Sequence, residues 1–438
     1  MKQVVVTGAG PAAVVTAILL KRMGYEVLVV GKARRTSYLE GASPRVAEGL
    51  ARVGCRQALA LLGTRWQRGA AWGGEYREVN GEHVINRRSL DEALLGDLIA
   101  AGVDYVDARV RNLSWEGDYW RGTAERNSGQ LVEFEAHFLV EARGRSAPKH
   151  APDICVGPLS IALIGSFQGR AGGEARTLTE AFDEGWAWAT SDSQGACSLQ
   201  LIIDHARLNS PLDTLHEQLR PRLSLIPRQL GPLMMAGPVM SRGIQPVLRG
   251  GIIERSYLRV GDAAYSCDPL SGHGMYEAIS GAFAAAPTIN TLLTRPDQEE
   301  LACRFYRDRA QSLFHQRLSM ATEFYRGEMR WPNQVFWRNR QKKLTDVSLD
   351  LSSISGSHVV FSPVVEDGLI VEREVLVTTE HPRGVRFIAG IEVVRLLEAI
   401  RAVRGKPNIE SLAKCFSVAP KQIISALKWL RQESGIVR

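Results

Sequence analysis

The chain has 438 residues, 45% of them hydrophobic and 23% charged, enough apolar surface to bury a large core and too much for a disordered or low-complexity protein. With 54 Lys and Arg against 47 Asp and Glu, the net charge is +7; the excess is spread along the chain, which marks a plainly basic soluble protein rather than a tract built for an acidic partner. Cys55, Cys155, Cys197, Cys267, Cys303 and Cys415 are scattered, with no C-x-x-C and no Cys/His grouping at metal-ligand spacing, so they read as reduced thiols of a cytoplasmic protein, with neither metal site nor disulfide framework.

From Gln3 to Leu20 no residue is charged. Thr7, Gly8, Gly10 and Pro11 interrupt this stretch and no small-residue cleavage pattern follows, so it is not read as a signal or anchor. It reads as a buried strand at Val4–Val6, a tight turn at Gly8-Ala9-Gly10-Pro11-Ala12-Ala13, and a helix over 11–23 with Val14, Val15, Ile18 and Leu19 at helical spacing and Gly24 as its stop. Val27–Val30 is a second buried strand. Strand, glycine turn, helix and strand within ~30 residues form the βαβ context in which G-x-G-x-x-G holds a dinucleotide. Gly8 makes the turn, Gly10 admits a pyrophosphate to the backbone, and the helix N-terminus offers N–H groups to its charge. Ala13 replaces the third glycine, a position that concerns helix–strand packing. The acid that usually ends the second strand and binds ribose hydroxyls is replaced by Gly31, followed by Lys32. The nucleoside end is therefore held differently, with Arg34 or Arg35 as candidates.

Further along, Pro44–Leu62 reads as helical, residues 70–85 as short strands, Ser89–Ala101 as a helix, and Val103–Val106 and the Val110 region as strand. Leu113–Trp120 and Leu131–Val140 read as a hairpin pair closed by Asn127-Ser128-Gly129. Residues 158–250 alternate strands (Ser160–Phe167, Ser198–Ile203) with helix (Leu212–Leu223). Leu258-Arg259-Val260 leads into a second glycine-rich loop, Gly261-Asp262 through Asp268-Pro269-Leu270-Ser271-Gly272-His273-Gly274, with a long helix at Tyr276–Leu293. After Tyr325 the composition shifts: Arg330, Trp331, Phe336, Trp337, Arg338, Arg340, Lys342 and Lys343 are followed by a polar stretch, which places a boundary near 345–357. Strands Val359–Val365 and Leu369–Thr378 come next, then helices at Ile391–Val403, Ile409–Cys415 and Pro420–Gln432, and a short tail, Gly435-Ile436-Val437. A phosphate loop at one end of the core and a second glycine loop at the other suit a long dinucleotide with a reactive ring, which points to FAD and redox chemistry.

Gly8–Ala13, Arg87 within Arg87-x-x-Leu90-Asp91, Glu141-Ala142-Arg143-Gly144-Arg145 and Gly261–Gly274 come in the order found in the para-hydroxybenzoate-hydroxylase-like flavoproteins, a superfamily of FAD-dependent aromatic monooxygenases, halogenases and geranylgeranyl reductases. Residues 1–340 resemble it. The resemblance implies an α/β fold: a Rossmann-like FAD-binding domain of glutathione-reductase type (mainly 1–70, 86–157 and 250–300) with an inserted antiparallel β-sheet substrate domain (mainly 71–85 and 158–249). This core spans 1–345, and a small winged-helix-like docking domain spans 358–438. It implies FAD contacts from Gly8, Gly10, Pro11, Ala12, Ala13, Arg34, Arg87 and Val110, with Asp262 on the ribitol chain. Pro269, Gly272, His273 and Gly274 would lay backbone N–H groups on the flavin pyrimidine edge. His273 is the one catalytic candidate, for proton transfer; its other reading is a loop cap. Arg87 can also be read as a surface arginine, and Arg143 departs from the small or polar residue common at its place.

In this class reduced flavin and O₂ give a C4a-hydroperoxide whose terminal oxygen attacks an electron-rich ring in a water-poor pocket. Gly185-Trp186-Ala187-Trp188 resembles the Trp-x-Trp element of the halogenases. Trp186 and Trp188 either line the substrate pocket or sit in the core. Against halogenation, Ala189-Thr190 replaces the usual Ile-Pro, Ser271 and His273 interrupt the halogenase form of the second loop, and no lysine occurs between Lys32 and Lys149. As a whole the chain is similar to the flavoprotein monooxygenases that mature the tryptophylquinone cofactor of quinohemoprotein amine dehydrogenase. That implies hydroxylation of a tryptophan side chain in a polypeptide substrate, docked on the C-terminal domain alongside other maturation enzymes, with NAD(P)H or a partner reductase as electron source and no nucleic acid or membrane partner. A hydroxylase of a small aromatic metabolite, a halogenase, and a DNA-binding redox flavoprotein using Arg395, Arg401, Arg404, Lys406, Lys414, Lys421 and Lys428 are the alternatives.

Overall fold

Val4, Val5 and Val6 are fully buried because strand Lys2–Thr7 has a parallel neighbour on each side, pairing Val5 with Leu28 and with Leu139. Sheets of this kind bury both faces, which is why their strands are continuous apolar runs. The strand order is Ile253–Glu254, Tyr257–Arg259, Leu131–Glu141, Lys2–Thr7, Val27–Val30, Asp104–Val106. Strands Arg109–Trp115 and Trp120–Glu125 extend it as an antiparallel meander on Leu131–Glu141. The computed structural model describes residues 2–342, 357–402 and 408–433.

The hairpin differs from the expected one. Asn127–Gly129 does turn the chain, with Gly129 at φ 84°, but the strand before it is Trp120–Glu125, not Leu113–Trp120. A second turn at Glu116–Tyr119, with Gly117 at φ 98°, divides that stretch in two. The single helix expected at Pro44–Leu62 is two, Pro44–Val53 and Arg56–Ala60, because Gly54 adopts the left-handed conformation at φ 70° that ends helices. The 28-residue helix Glu299–Arg326 had no counterpart in the sequence pattern; its charges run along much of its surface and blur the apolar stripe.

A second, nine-stranded sheet runs Met234–Met235, Ser160–Gln168, Ala196–Asp204, Gly185–Ser191, Arg176–Phe182, Arg65–Trp72, Glu75–Asn86, Leu39–Ala42, with Met240–Gly243 also on Ser160–Gln168. It is antiparallel apart from the parallel pair Arg176–Phe182 and Arg65–Trp72. Alternation splits its residues between two cores. Leu163, Leu178, Ala187, Leu199 and Leu201 pack on one side with Leu215, Leu219 and Ile226. Ala162, Ala181, Trp186 and Ile202 pack on the other with Tyr325, Phe336 and Trp337.

Two compact units are distinguished, residues 1–296 with 306–344, and 297–305 with 345–438. In the second, hairpin His358–Glu366 and Leu369–Val377 is followed by the short pair Phe387–Ile388 and Ile391–Glu392 and by helices Val393–Ala402, Ile409–Phe416 and Pro420–Glu433. Leu376, Leu396, Leu412, Ile423, Leu427 and Leu430 form its own core. The boundary expected at 345–357 lies, Ser357 apart, outside the described residues, as do Lys343, Val403, Arg404, Lys406 and the Gly435–Val437 tail. Among the described residues no helix is long and apolar enough to cross a membrane.

Candidate functional site

Helix Pro11–Arg22 begins at Gly10 with Pro11 at its first position, no side chain capping it and no acid in its first turn. Its leading N–H groups have no intrahelical partner, so the positive end of the helix is left for an anion. Gly8, at φ 117°, lies so close to the Ala142 carbonyl that a Cβ would collide with it. A Cβ on Gly10 would meet nothing within 4 Å, so the space in front of this turn is open. Gly31 abuts the Gly8 backbone, again without room for a Cβ, which explains the missing acid: that position carries strand-to-loop packing instead. Lys32 reaches Asn127 Oδ1 at 2.6 Å. Val110 is buried with Val5, Val30 and Ala124.

The second loop adjoins the first. Gly261, at φ 63°, would place a Cβ 2.8 Å from the Ala12 Cβ. Beyond it, Asp262 accepts from Arg242 Nη2 at 3.3 Å and lies 3.9 Å from Arg145 Nε. Asp268 caps the turn Pro269–Ser271 by accepting from Leu270 N at 2.9 Å, and burial pushes its carboxyl above the usual range. Gly272 is left-handed at φ 65°. Helix Gly274–Thr294 starts at His273 with no side-chain cap. Its first turn is fixed from behind: Glu277 accepts from Tyr265 at 2.8 Å and from Arg317 at 2.6 and 2.9 Å. His273 Nδ1 contacts the Ser271 carbonyl of its own loop, and burial with Arg317 nearby lowers its pKa.

Two cradles with positive φ, open space at Gly10 and two uncapped helix N-termini fit the pyrophosphate and ring ends of FAD. Arg34 and Arg87 are already held by carboxylates. Asp91 accepts from Arg34 Nε at 2.8 Å and Arg87 Nε at 3.1 Å, and Glu40 accepts from Arg87 Nη1 at 3.1 Å. These carboxylates raise the pKa of Arg87 against the opposing effect of burial. Arg35 is exposed. Arg143 is tied to the fully buried Glu141 by its backbone and side chain.

Trp186 and Trp188 lie on one face of strand Gly185–Ser191. Trp186 is 1% exposed and donates to Tyr325 OH at 3.2 Å, and that hydroxyl donates to Asp268 Oδ2 at 3.0 Å. Trp72 meets Trp186 edge-on at 6.4 Å and Trp337 at 5.4 Å, and Trp331 stacks on Trp337 at 5.8 Å. The aromatics expected to precede a linker, Trp331, Phe336 and Trp337, are therefore part of this cluster. Trp188 is only partly buried, and its Nε1 has no partner. Its cross-strand neighbour is Thr179, and Arg68 bonds Thr179 Oγ1 and Glu82 Oε1, each at 3.3 Å. Arg68 Nη1 stands 3.6 Å from where a Cβ on Gly272 would be. The second glycine loop and this polar end of the sheet are thus neighbours.

Both loops and Trp186 with Trp188 were legible in the sequence. Trp72, Tyr325, Arg68 and Glu82 were not, because their association is made by strand pairing and by a helix without a clear apolar stripe. No disulfide joins any of the six cysteines, and among the described residues no group of His, Cys, Asp and Glu could hold a metal.

No family model matches the chain. A solved structure of the peptidyl tryptophan dihydroxylase QhpG, essential for tryptophylquinone cofactor biogenesis, superposes with a TM-score of 0.79 and 34% identity over 98% of each chain. The flavin-dependent halogenase CmlS superposes with the same TM-score of 0.79 at 17% identity, over 98% of this chain and 94% of its own. A tryptophan 2-halogenase of Chondromyces crocatus is 23% identical over 405 residues, 83% of this chain and 75% of that protein.

Proposed function

Because this chain belongs to the family of FAD-dependent hydroxylases and halogenases that includes QhpG, we propose that it is a flavin-dependent monooxygenase that hydroxylates a tryptophan side chain of a polypeptide in quinone cofactor biogenesis. The observation that carries this reading is the 34% identity to QhpG over 98% of both chains. Bound FAD, once reduced, supplies an electrophilic oxygen taken from O₂.

The chain's own residues hold and shield. Gly8, Gly10 and the N–H groups of Ala12 and Ala13 would receive the pyrophosphate of FAD. Backbone donors from Gly272 to Gly274, backed by the helix they begin, would hold the flavin ring and favour negative charge on it. Asp262 would hold the ribitol chain. Trp188, on the wall formed with Trp72 and Trp186, offers an aromatic surface on which an indole packs edge-on or offset and from which water is displaced. His273 keeps its loop carbonyl contact, so it serves the loop's shape. NAD(P)H or a partner reductase delivers the electrons. The unit formed by the C-terminal hairpins and helices is the docking surface for the polypeptide.

The test is mass spectrometry of a quinohemoprotein amine dehydrogenase small subunit after incubation with this protein, FAD, NADH and O₂. Gain of one or two oxygens on a tryptophan is expected. An unchanged polypeptide, with flavin bound and reducible, overturns the reading in favour of a small aromatic substrate. Deleting residues 358–438 is expected to abolish modification of the polypeptide while free indole still drives O₂ consumption.

A further inference from the structure

Four buried side-chain atoms without a hydrogen-bond partner gather at one end of the Trp186–Trp188 face: Arg68 Nε, Glu82 Oε2, Thr177 Oγ1 and Trp188 Nε1. They are brought together by register. Thr177 pairs with Arg68 and with Thr190, and Thr179 with Trp188, so residues two apart on each strand share the face. Glu82 is 5% and Thr177 1% exposed. Burying polar atoms unpaired is costly, and one such group is an accident of packing more readily than four side by side.

The surroundings show what the group is turned toward. Arg68 is within reach of Gly272 in the second glycine loop. Gly41 has no room for a Cβ because Glu82 Oε2 occupies that direction, with the Thr177 methyl at 3.1 Å. Arg68 engages only Oε1 of Glu82, at 3.3 Å, and its remaining charge offsets that of the carboxylate. The acid of the neighbouring glycine loop is spent: Asp268 accepts from Leu270 N and Tyr325.

Resting on the tryptophan reading above, we propose that Glu82 is the substrate-binding carboxylate that accepts the indole N–H, with Arg68 as its positioning residue. An indole lying against Trp188 has one polar atom, its N–H, and of the unpaired atoms on that face that can accept, Glu82 Oε2 and Thr177 Oγ1, the carboxylate oxygen is the stronger acceptor. When an electrophile adds to an indole carbon, positive charge appears on the ring nitrogen, and a buried carboxylate hydrogen-bonded there stabilises it. Glu82 forms no covalent bond and the oxygen still comes from O₂ at the flavin.

The test compares the flavin-loaded full chain with its Glu82→Gln and Glu82→Leu variants on the polypeptide bearing either the target tryptophan or 1-methyltryptophan, which lacks the N–H. Oxygen incorporated per flavin oxidised, hydrogen peroxide released, and flavin content are read together. The wild type is expected to favour tryptophan over its methylated analogue roughly 10- to 100-fold, the range of a charge-assisted hydrogen bond. Glu82→Leu is expected to lose that preference and release peroxide while retaining flavin. Should Glu82→Leu fail to hold flavin, Glu82→Gln at full occupancy carries the comparison, with a preference reduced about 10-fold. A preference unchanged in the variants overturns the Glu82 assignment and leaves the tryptophan reading standing. A wild type that modifies neither polypeptide overturns both.

Discussion

Gly261 rests on Ala12: a Cβ on the glycine would stand 2.8 Å from the Cβ of the alanine. The two loops that bracket the core in sequence are therefore one surface, and each constrains the other. Gly261→Ala must both adopt φ 63° and displace Ala12. A cost of roughly 1–3 kcal/mol is expected, seen as a lowered melting temperature and lower flavin content of the purified protein.

Gly8 and Gly10 separate folding from binding. Gly8→Ala meets backbone at φ 117° and is expected to destabilise the flavin-free protein. At Gly10 an added Cβ would have nothing within 4 Å, and the backbone φ is −89°. Gly10→Ala is therefore expected to leave the stability of the flavin-free protein within about 0.5 kcal/mol of wild type while weakening FAD binding by blocking the pyrophosphate's approach. Calorimetry with and without FAD reads both.

Asp91 serves two guanidinium groups and is 4% exposed at its side chain. Asp91→Ala leaves Arg34 without its carboxylate and the more deeply buried Arg87 with Glu40 alone. Losing these charged hydrogen bonds costs about 1–3 kcal/mol, to be read from urea unfolding of the flavin-free protein.

Tyr325 links Trp186 to the cap of the second glycine loop through Asp268. Tyr325→Phe leaves an indole N–H and a carboxylate oxygen unpaired, at about 1–3 kcal/mol. Because Asp268 Oδ1 also holds Leu270 N, the variant is expected to lose FAD faster than wild type in a dilution experiment.

His216 lies fully buried against Phe167, its pKa lowered by burial from 6.5 to about 4. The folded state keeps the ring neutral while the unfolded state takes up a proton below pH 6.5. Its stabilising contribution is therefore complete above pH 6.5 and is lost as pH falls toward 4, by up to about 3 kcal/mol. His216→Leu is expected to flatten the fall in stability over that window, measured as the difference between two urea series.

What the amino-acid sequence determined by itself was local. Gly8, Gly10, Gly261 and Gly272 announce the loops because positive φ and close backbone approach are properties of single residues, and Val4–Val6 and Val27–Val30 announce buried parallel strands because both faces are covered. The resemblance carried by the order of these loops reached the flavoprotein family. The tertiary structure alone decided which side chains meet. Arg68, Glu82, Thr177 and Trp188 come from strands whose parallel and antiparallel pairings no local pattern encodes, and Trp72, Trp186, Tyr325 and Trp337 meet through a helix whose charges conceal its apolar side. Strand register is set by the sum of contacts across a whole sheet, so the substrate face could be read only once the sheet was assembled.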